Sequence, residues 1–169
     1  LTFLPIYLDE KLGASSVTIG LYLSLAQVGG IVSQPLMGYG SDRLGRKAIL
    51  TPSLALLGVS FIALGVTPAG WMFGATVLVM GAFLFPLMSI VLASAMDLVE
   101  PGAQATTVSL VFGSAIAVSA FAPASAGVLA DYYGVASAFL FGAVIVLATS
   151  FLSLVTRWRP RTTPAGTPR

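Results

Sequence analysis

The sequence contains neither cysteine nor histidine, and only 8% of its 169 residues carry a charge. Without thiolate or imidazole side chains, the usual zinc sites, cysteine nucleophiles and Ser-His-Asp triads are excluded within this chain. The shortage of charge also excludes disorder and a soluble globule, since soluble domains have about 25% charged and about 45–50% apolar residues. Here 57% of the residues are apolar. The composition therefore predicts an integral membrane protein with several spans.

Five apolar stretches are long enough to cross a bilayer, which takes about 20 helical residues. They are residues 16–40, 49–67, 70–96, 106–130 and 135–156. A sixth stretch, 1–8, is apolar but too short, and we interpret it as the end of a helix whose beginning is missing, with a short interfacial arm as the alternative. We therefore predict an all-α, polytopic transmembrane helical bundle at 1–156 and a disordered tail at 157–169.

The few charged residues lie between the predicted spans or in the tail, and their placement predicts the orientation. If consecutive spans alternate in direction, one side receives seven basic residues, which are Arg43, Arg46, Lys47, Arg157, Arg159, Arg161 and Arg169. The other side receives only Lys11. Cytoplasmic loops carry the excess of lysine and arginine. Residues 41–48, residues 97–105 and the tail are therefore expected on the cytoplasmic side of the cell membrane.

The connection between the first two full spans combines glycine, one carboxylate and several cations. Gly45 permits a tight turn. Asp42, at the end of the preceding span, can accept hydrogen bonds or meet the N-terminal dipole of a neighbouring helix. The basic side chains Arg43, Arg46 and Lys47 are expected to hold the loop at the inner surface and can pair with carboxylates.

This connection resembles the loop signature of the major facilitator superfamily, G-x-x-x-D-R-x-G-R-R/K. The residues at its defining positions are Gly38, Asp42, Arg43, Gly45, Arg46 and Lys47. Gly40 and Leu44 depart from the leucine and the aromatic residue that the family usually has there. The resemblance implies a family-type half of six helices, with five full spans and a truncated first helix.

Two further segments resemble motifs of the same family. Asp97 and Glu100 stand in an acidic turn after the fourth helix, and the resemblance implies that they join the loop signature in a cytoplasmic latch. The expected pairs of this latch are Asp42 with Arg46, and either Arg46 or Arg43 with Asp97 or Glu100. Gly113, Pro123 and Gly127 stand in the helix-kink motif of the fifth helix, in which alanine replaces two of the usual glycines. The absence of arginine from 70–96 and the short basic tail favour the C-terminal half, and a fragment cut inside the central loop is the alternative.

The resemblance implies a secondary active transporter that moves a small solute by alternating access. Its expected partners are the lipid bilayer, the small-molecule substrate, the missing six-helix half and protons as the coupling ion, with no cofactor, metal or nucleic acid. No carboxylate lies at membrane depth in this chain, so a proton-titrating group is expected in the missing half. Efflux of a drug-like compound is slightly favoured, because no charged residue projects into the cavity from this half.

Polar side chains within the spans are the candidates for substrate contact. Gln27 and Gln34, with Gly30 between them, share one helix face at this spacing. They either line the cavity or join helices through hydrogen bonds.

Two other classes of function are weighed against transport. An intramembrane enzyme is not expected, since the spans contain no histidine, cysteine, aspartate, glutamate or lysine. A stand-alone six-helix structural or assembly protein, or a half-transporter that dimerises, is the alternative.

Overall fold

The computed structural model describes residues 2–100 and 102–156, and these residues form six helices joined by short connections. The helices are α1 (Phe3–Leu12), α2 (Ser16–Leu44), α3 (Arg46–Val66), α4 (Trp71–Met96), α5 (Gln104–Tyr133) and α6 (Ala136–Val155). The described residues contain no strand, and α2 to α6 are each long and apolar enough to cross a membrane. The predicted all-α transmembrane fold is confirmed. The predicted tail lies outside the described residues.

Four helices (α1, α2, α3 and α5) extend beyond the apolar stretches that predict them, because polar residues can occupy the terminal turns of a membrane helix. α1 continues to Leu12, although a connection is predicted from residue 9. α2 continues to Leu44, although a loop is predicted from residue 41. Gly45 alone then separates α2 from α3, with a φ of 95° that glycine adopts without strain. The predicted loop 41–48 is therefore mostly helical.

α2 and α4 cross with their backbones in direct contact. A Cβ atom on Gly81 would overlap the backbone of Ala26, and a Cβ atom on Gly29 would overlap the carbonyl group of Leu78. Close approach of this kind stabilises helix pairs in lipid, where van der Waals packing replaces the hydrophobic driving force between helices. The contact fixes α2 against α4 in the middle of the bundle.

α3 and α6 are joined instead by a polar seam, which we define as Thr51, Ser150 and Ser153. The hydroxyl group of Ser150 donates to the backbone carbonyl of Thr51 at 2.9 Å, and the hydroxyl groups of Thr51 and Ser153 lie 2.8 Å apart. All three residues are buried. Hydrogen bonds in a dry interior have no water to compete with them, so the seam sets the register of the two helices.

α5 is the most peripheral of the long helices. It packs against α6 and α4, and Ala126 is its one buried residue. The other helices meet around a buried core that includes Leu57, Leu64, Phe73 and Met80. The fold therefore combines a packed group of helices with one helix that leaves most of its surface open.

The bundle has two chemically different ends, named here by one residue each. The Arg46 end holds the α2–α3 turn, the end of α4 and the end of α6. The Tyr7 end holds α1 and the beginnings of α2, α4 and α6, joined by aromatic rings. There the Tyr7 ring stacks on Phe73 with 6.1 Å between centroids and meets Phe139 edge-on at 5.1 Å.

Candidate functional site

The central feature of the Arg46 end is one guanidinium group shared between two carboxylates. Arg46 Nε donates to Asp97 Oδ2 at 3.0 Å, and Arg46 Nη1 donates to Asp42 Oδ1. The same Nη1 lies 3.2 Å from the hydroxyl group of Ser41, which is buried. The structure therefore brings together three of the predicted latch residues, and Arg46 connects the α2–α3 turn to the end of α4.

This cluster lies at the surface of the bundle and is only partly screened from solvent. The Arg46 side chain is 24% exposed, whereas Asp42 and Asp97 are 64% and 52% exposed. Exposed ion pairs of this kind contribute about 0–1 kcal/mol each, because water and salt compete for both charges. The contact is therefore weak enough to break and reform.

Gly45 determines which way Arg46 faces. Its positive φ turns the chain within a single residue, so that Arg46, the first residue of α3, lies beside Asp42 in the last turn of α2. A Cβ atom at residue 45 would meet no atom within 4 Å, so the backbone conformation and not the lack of space calls for glycine. Gly38 also has open space around its Cα atom, and its presence is not explained by packing within the described residues.

Lys47 plays a part that sequence reasoning missed. Its ammonium group donates to the backbone carbonyls of Leu154 at 2.9 Å and Thr156 at 2.8 Å. It therefore caps the C-terminal end of α6, where carbonyl groups lack helical partners and the helix dipole favours a cation. The sequence predicts instead that Lys47 pairs with carboxylates. Backbone acceptors have no sequence pattern that would have revealed the contact.

Arg43 is separate from the carboxylate cluster. Its guanidinium carbon lies 4.6 Å from the centre of the Tyr39 ring, a cation–π contact along α2. The expectation allowed either Arg43 or Arg46 to pair with the acidic turn, and in the structure Arg46 makes the contact with Asp97. Glu100 lies exposed beyond the end of α4.

A large cleft opens beside these residues. It has a volume of about 1310 Å³ and lies between the α2–α3 turn, the end of α4 and the end of α6. Most of its lining is apolar, and Asp42, Arg46, Lys47 and Asp97 line it as well. The cluster therefore borders this cleft, and its charged groups form part of the polar lining.

The candidate cavity residues on α2 divide between two environments. Gln27 and Gln34 are exposed, whereas Gly30 is buried against the ring of Phe85 on α4. Gly30 thus lies in the contact between α2 and α4 and not on the exposed surface that carries the two glutamines. Spacing along a helix defines a shared face only to within about 60° around the helix axis, so residues predicted on one face can lie in different environments. Gln34 also lines a smaller cleft of about 330 Å³ with Ser89.

The residues of the kink motif lie along α5, which continues through Pro123 as one helix. Gly113 and Gly127 have no atom within 4 Å of the position that a Cβ would occupy. Neither glycine is therefore required by packing within the described residues. No group of three or more histidine, cysteine, aspartate or glutamate residues in 2–100 and 102–156 could hold a metal ion.

Comparison with known proteins decides the family. The sequence profile of the Major Facilitator Superfamily matches residues 1–169. The chain belongs to the major facilitator superfamily. The family is one of membrane transporters rather than of enzymes, and five of the described helices are long and apolar enough to cross the lipid bilayer.

The similar curated proteins include multidrug resistance protein MdtG of Escherichia fergusonii, with 26% identity over 160 residues. That alignment covers 90% of this chain and 38% of the relative. MdtG of Escherichia coli K12 gives the same identity and coverage. The chain thus spans less than half the length of the curated relatives it matches. No solved structure gives a significant match.

Proposed function

We propose that this chain is one six-helix half of a secondary active transporter that exports drug-like compounds by alternating access. The observation that carries the proposal is Arg46, which connects the α2–α3 turn to α4 through two hydrated carboxylates. Alternating access requires contacts that hold one conformation and release it at small cost. The similarity to MdtG, which is named a multidrug resistance protein, supports the choice of drug-like substrates.

The orientation follows from the basic residues. Arg43, Arg46 and Lys47 all lie at the Arg46 end of the bundle, and Lys11 lies in α1 near the other end. The four arginines at 157, 159, 161 and 169 lie outside the described residues. By the positive-inside rule, the Arg46 end faces the cytoplasm and the C-terminal tail begins there.

The cluster acts as a latch on the cytoplasmic side. Arg46 and Asp97 both line the large cleft, so separating them widens the cleft between the α2–α3 turn and the end of α4. The conformers of such a protein differ by only a few kcal/mol, which two weak ion pairs are sufficient to bias. The residues that we assign to the latch region are Gly38, Asp42, Arg43, Gly45, Arg46, Lys47, Asp97 and Glu100.

The substrate route runs beside the polar face of α2. Gln27 and Gln34 are exposed at membrane depth, where an amide side chain is stable only against water or another polar surface. We assign them to the cavity or to the contact with the missing half. No carboxylate lies at membrane depth among the described residues, so any group that couples transport to protons belongs to that other half.

The experiment replaces Asp42 by Asn in the full-length transporter. Removing one carboxylate weakens the hold on Arg46 and shifts the balance of conformers, so transport of a fluorescent drug into inverted vesicles should fall. The matched control is Asp9→Asn, which changes an exposed carboxylate of α1. Equal amounts of the wild-type protein and both variants in the membrane would show that all three are inserted. Unchanged transport by the Asp42→Asn variant would then refute the latch.

The second candidate is a half-transporter that dimerises or a six-helix assembly protein. The open surface of α5 favours it, since one copy leaves that helix with a single buried residue. Co-purification of two differently tagged copies of the chain from one membrane would support this reading. Its absence, with transport by the full-length protein, favours the first proposal.

A further inference from the structure

The innermost partner of Arg46 is a neutral hydroxyl group. Ser41 lies in the last turn of α2 and is 1% exposed, and its Oγ accepts a hydrogen bond from Arg46 Nη1 at 3.2 Å. Asp42 and Asp97, the other two partners of this guanidinium group, are more than half exposed. Arg46 therefore has one dry contact and two hydrated ones.

The hydroxyl group of Ser41 is used differently from those of other buried serines. Ser53, Ser60 and Ser94 each donate to the backbone carbonyl four residues earlier, at 2.6, 2.8 and 2.7 Å. A serine within a helix commonly returns its hydroxyl group to its own backbone in this way. Within the residues that the structure describes, Ser41 is the one buried hydroxyl group bonded to a charged side chain. The contact is therefore specific to the Arg46 end.

The burial of Ser41 is produced by this chain alone. Because protein added to the surface of a bundle can only cover a side chain further, the contact with Arg46 does not depend on what surrounds the six helices. Asp42 and Asp97 are exposed, and they can meet other groups in a longer protein. The bond between Ser41 and Arg46 is therefore the part of the cluster that these helices define without outside partners.

The contacts on α2 fix the plane of the guanidinium group. Arg46 Nη1 carries two hydrogens and has two acceptors, Ser41 and Asp42, which both lie in α2. The group is planar and rigid, so fixing Nη1 also fixes the direction of Nε. Nε donates to Asp97 Oδ2 at 3.0 Å, at the end of α4. The two contacts on α2 thus orient Arg46 toward its partner on α4.

We propose that Ser41 is a positioning residue of the latch, whose hydroxyl group holds the guanidinium group of Arg46 in the orientation that receives Asp97. When Asp97 moves away with the end of α4, Arg46 stays on Ser41 and Asp42. The latch then closes again without ordering a long side chain, a step that costs about fivefold in an equilibrium constant. This role rests on the proposed function, because it requires that the contact between Arg46 and Asp97 opens and closes during transport.

The test follows opening in a parent version of the full-length transporter whose single cysteine is Ala95→Cys, at a residue that lines the large cleft. Ser41→Ala removes only the hydroxyl group, and maleimide labelling at residue 95 should become about fivefold faster. Raised salt should accelerate labelling more in Ser41→Ala than in the parent, because the remaining partners of Arg46 are hydrated and screened. The matched control is Ser53→Ala, which removes a buried hydroxyl group that bonds only within α3. Its labelling should match the parent in both rate and salt dependence.

Arg46→Met in the same parent separates failure of this role from failure of the latch. If Ser41 acts through Arg46, adding Ser41→Ala to Arg46→Met should change neither the labelling rate nor its salt dependence. Faster labelling in Arg46→Met, with Ser41→Ala equal to the parent, would overturn the role of Ser41 and leave the latch in place. Further acceleration in the double variant would also overturn it. Unchanged labelling in Arg46→Met would refute the latch itself, and the role of Ser41 with it.

A second measurement depends neither on the cysteine reporter nor on transport. In NMR spectra of the arginine side chains, the Nη hydrogens of Arg46 should exchange with water about tenfold faster in Ser41→Ala than in the wild-type protein. That factor is the effect of losing one hydrogen bond to a charged group. Ser53→Ala should exchange at the wild-type rate. Equal exchange in all three proteins would show that Ser41 does not hold the guanidinium group, and would contradict the proposal even if the latch is confirmed.

Discussion

At the Arg46 end, helices are connected by one shared guanidinium group, whereas at the Tyr7 end they are connected by packed rings. Arg46 has directional bonds to side chains that are more than half exposed. Phe73 is fully buried between Tyr7 and Tyr22, with ring centroids 6.1 Å and 5.2 Å away. Water can replace a hydrogen bond at small net cost, but it cannot replace the contacts of a buried ring. From this difference we expect the helices to separate more easily at the Arg46 end than at the Tyr7 end.

The largest effect should come from removing the central ring of the Tyr7 end. Phe73→Ala leaves a cavity among α1, α2, α4 and α6, and such truncations cost about 3–5 kcal/mol. The melting temperature of the purified protein in detergent should fall sharply. Trp71→Ala is the control, because that side chain is 83% exposed and lies only two residues away. Equal melting temperatures for the two variants would show that the rings do not hold this end.

A smaller effect on stability, with a clear effect on opening, is expected from Asp97→Asn. The substitution removes one charge from the Arg46 pair and should cost about 0–1 kcal/mol. Because the chain has no native cysteine, Ala95→Cys provides a single reporter in the large cleft, and Ala138→Cys provides one at the Tyr7 end. Maleimide labelling should accelerate at residue 95 and stay constant at residue 138. Acceleration at both positions would mean that the two ends are not independent.

The most local effect, confined to the last turn of one helix, is expected from Lys47→Met, which removes the cap from α6 but retains the apolar stem. A cation at a helix C-terminus contributes about 0.3–1 kcal/mol. Amide hydrogens at 152–156 should exchange faster, while those of α4 remain unchanged. Arg43→Met is the matched control, since Arg43 stacks on Tyr39 and touches no part of α6 that the structure describes. Equal rates of amide hydrogen exchange at 152–156 in the two variants would show that Lys47 does not stabilise the end of α6.

The fold class could be predicted because membrane insertion constrains composition directly. Charged residues were absent from every predicted span, and the helices fall on those spans with ends that differ by several residues. Apolar character stops at residue 40, which predicts the end of α2 there, but hydrogen bonding continues to Leu44 until Gly45 turns the chain. Hydropathy reports the position of the membrane, and not the last hydrogen bond of a helix.

The latch cluster was predictable in part. Asp42 and Arg46 are separated by about one helical turn in the sequence, which places them close together. The acidic turn after the fourth span contains Asp97, the second carboxylate that pairs with Arg46. The contact of Lys47 with α6 was not predictable, because its acceptors are backbone carbonyls more than 100 residues away in the chain. The separation of Gly30 from the two glutamines depends on the crossing of α2 and α4, which only the packed structure defines.

The backbone contact between Gly81 and Ala26 has a mechanical consequence. Because no side chain separates the two backbones here, we expect any tilt of α4 relative to α2 to pivot near this contact. From Gly81 to Asp97, α4 forms a lever arm of about 24 Å at 1.5 Å per residue. A tilt of about 5° would carry its end roughly 2 Å, enough to break a hydrogen bond of ordinary length. Under the proposed latch mechanism, a small rotation in the middle of the membrane would therefore be sufficient to separate Asp97 from Arg46.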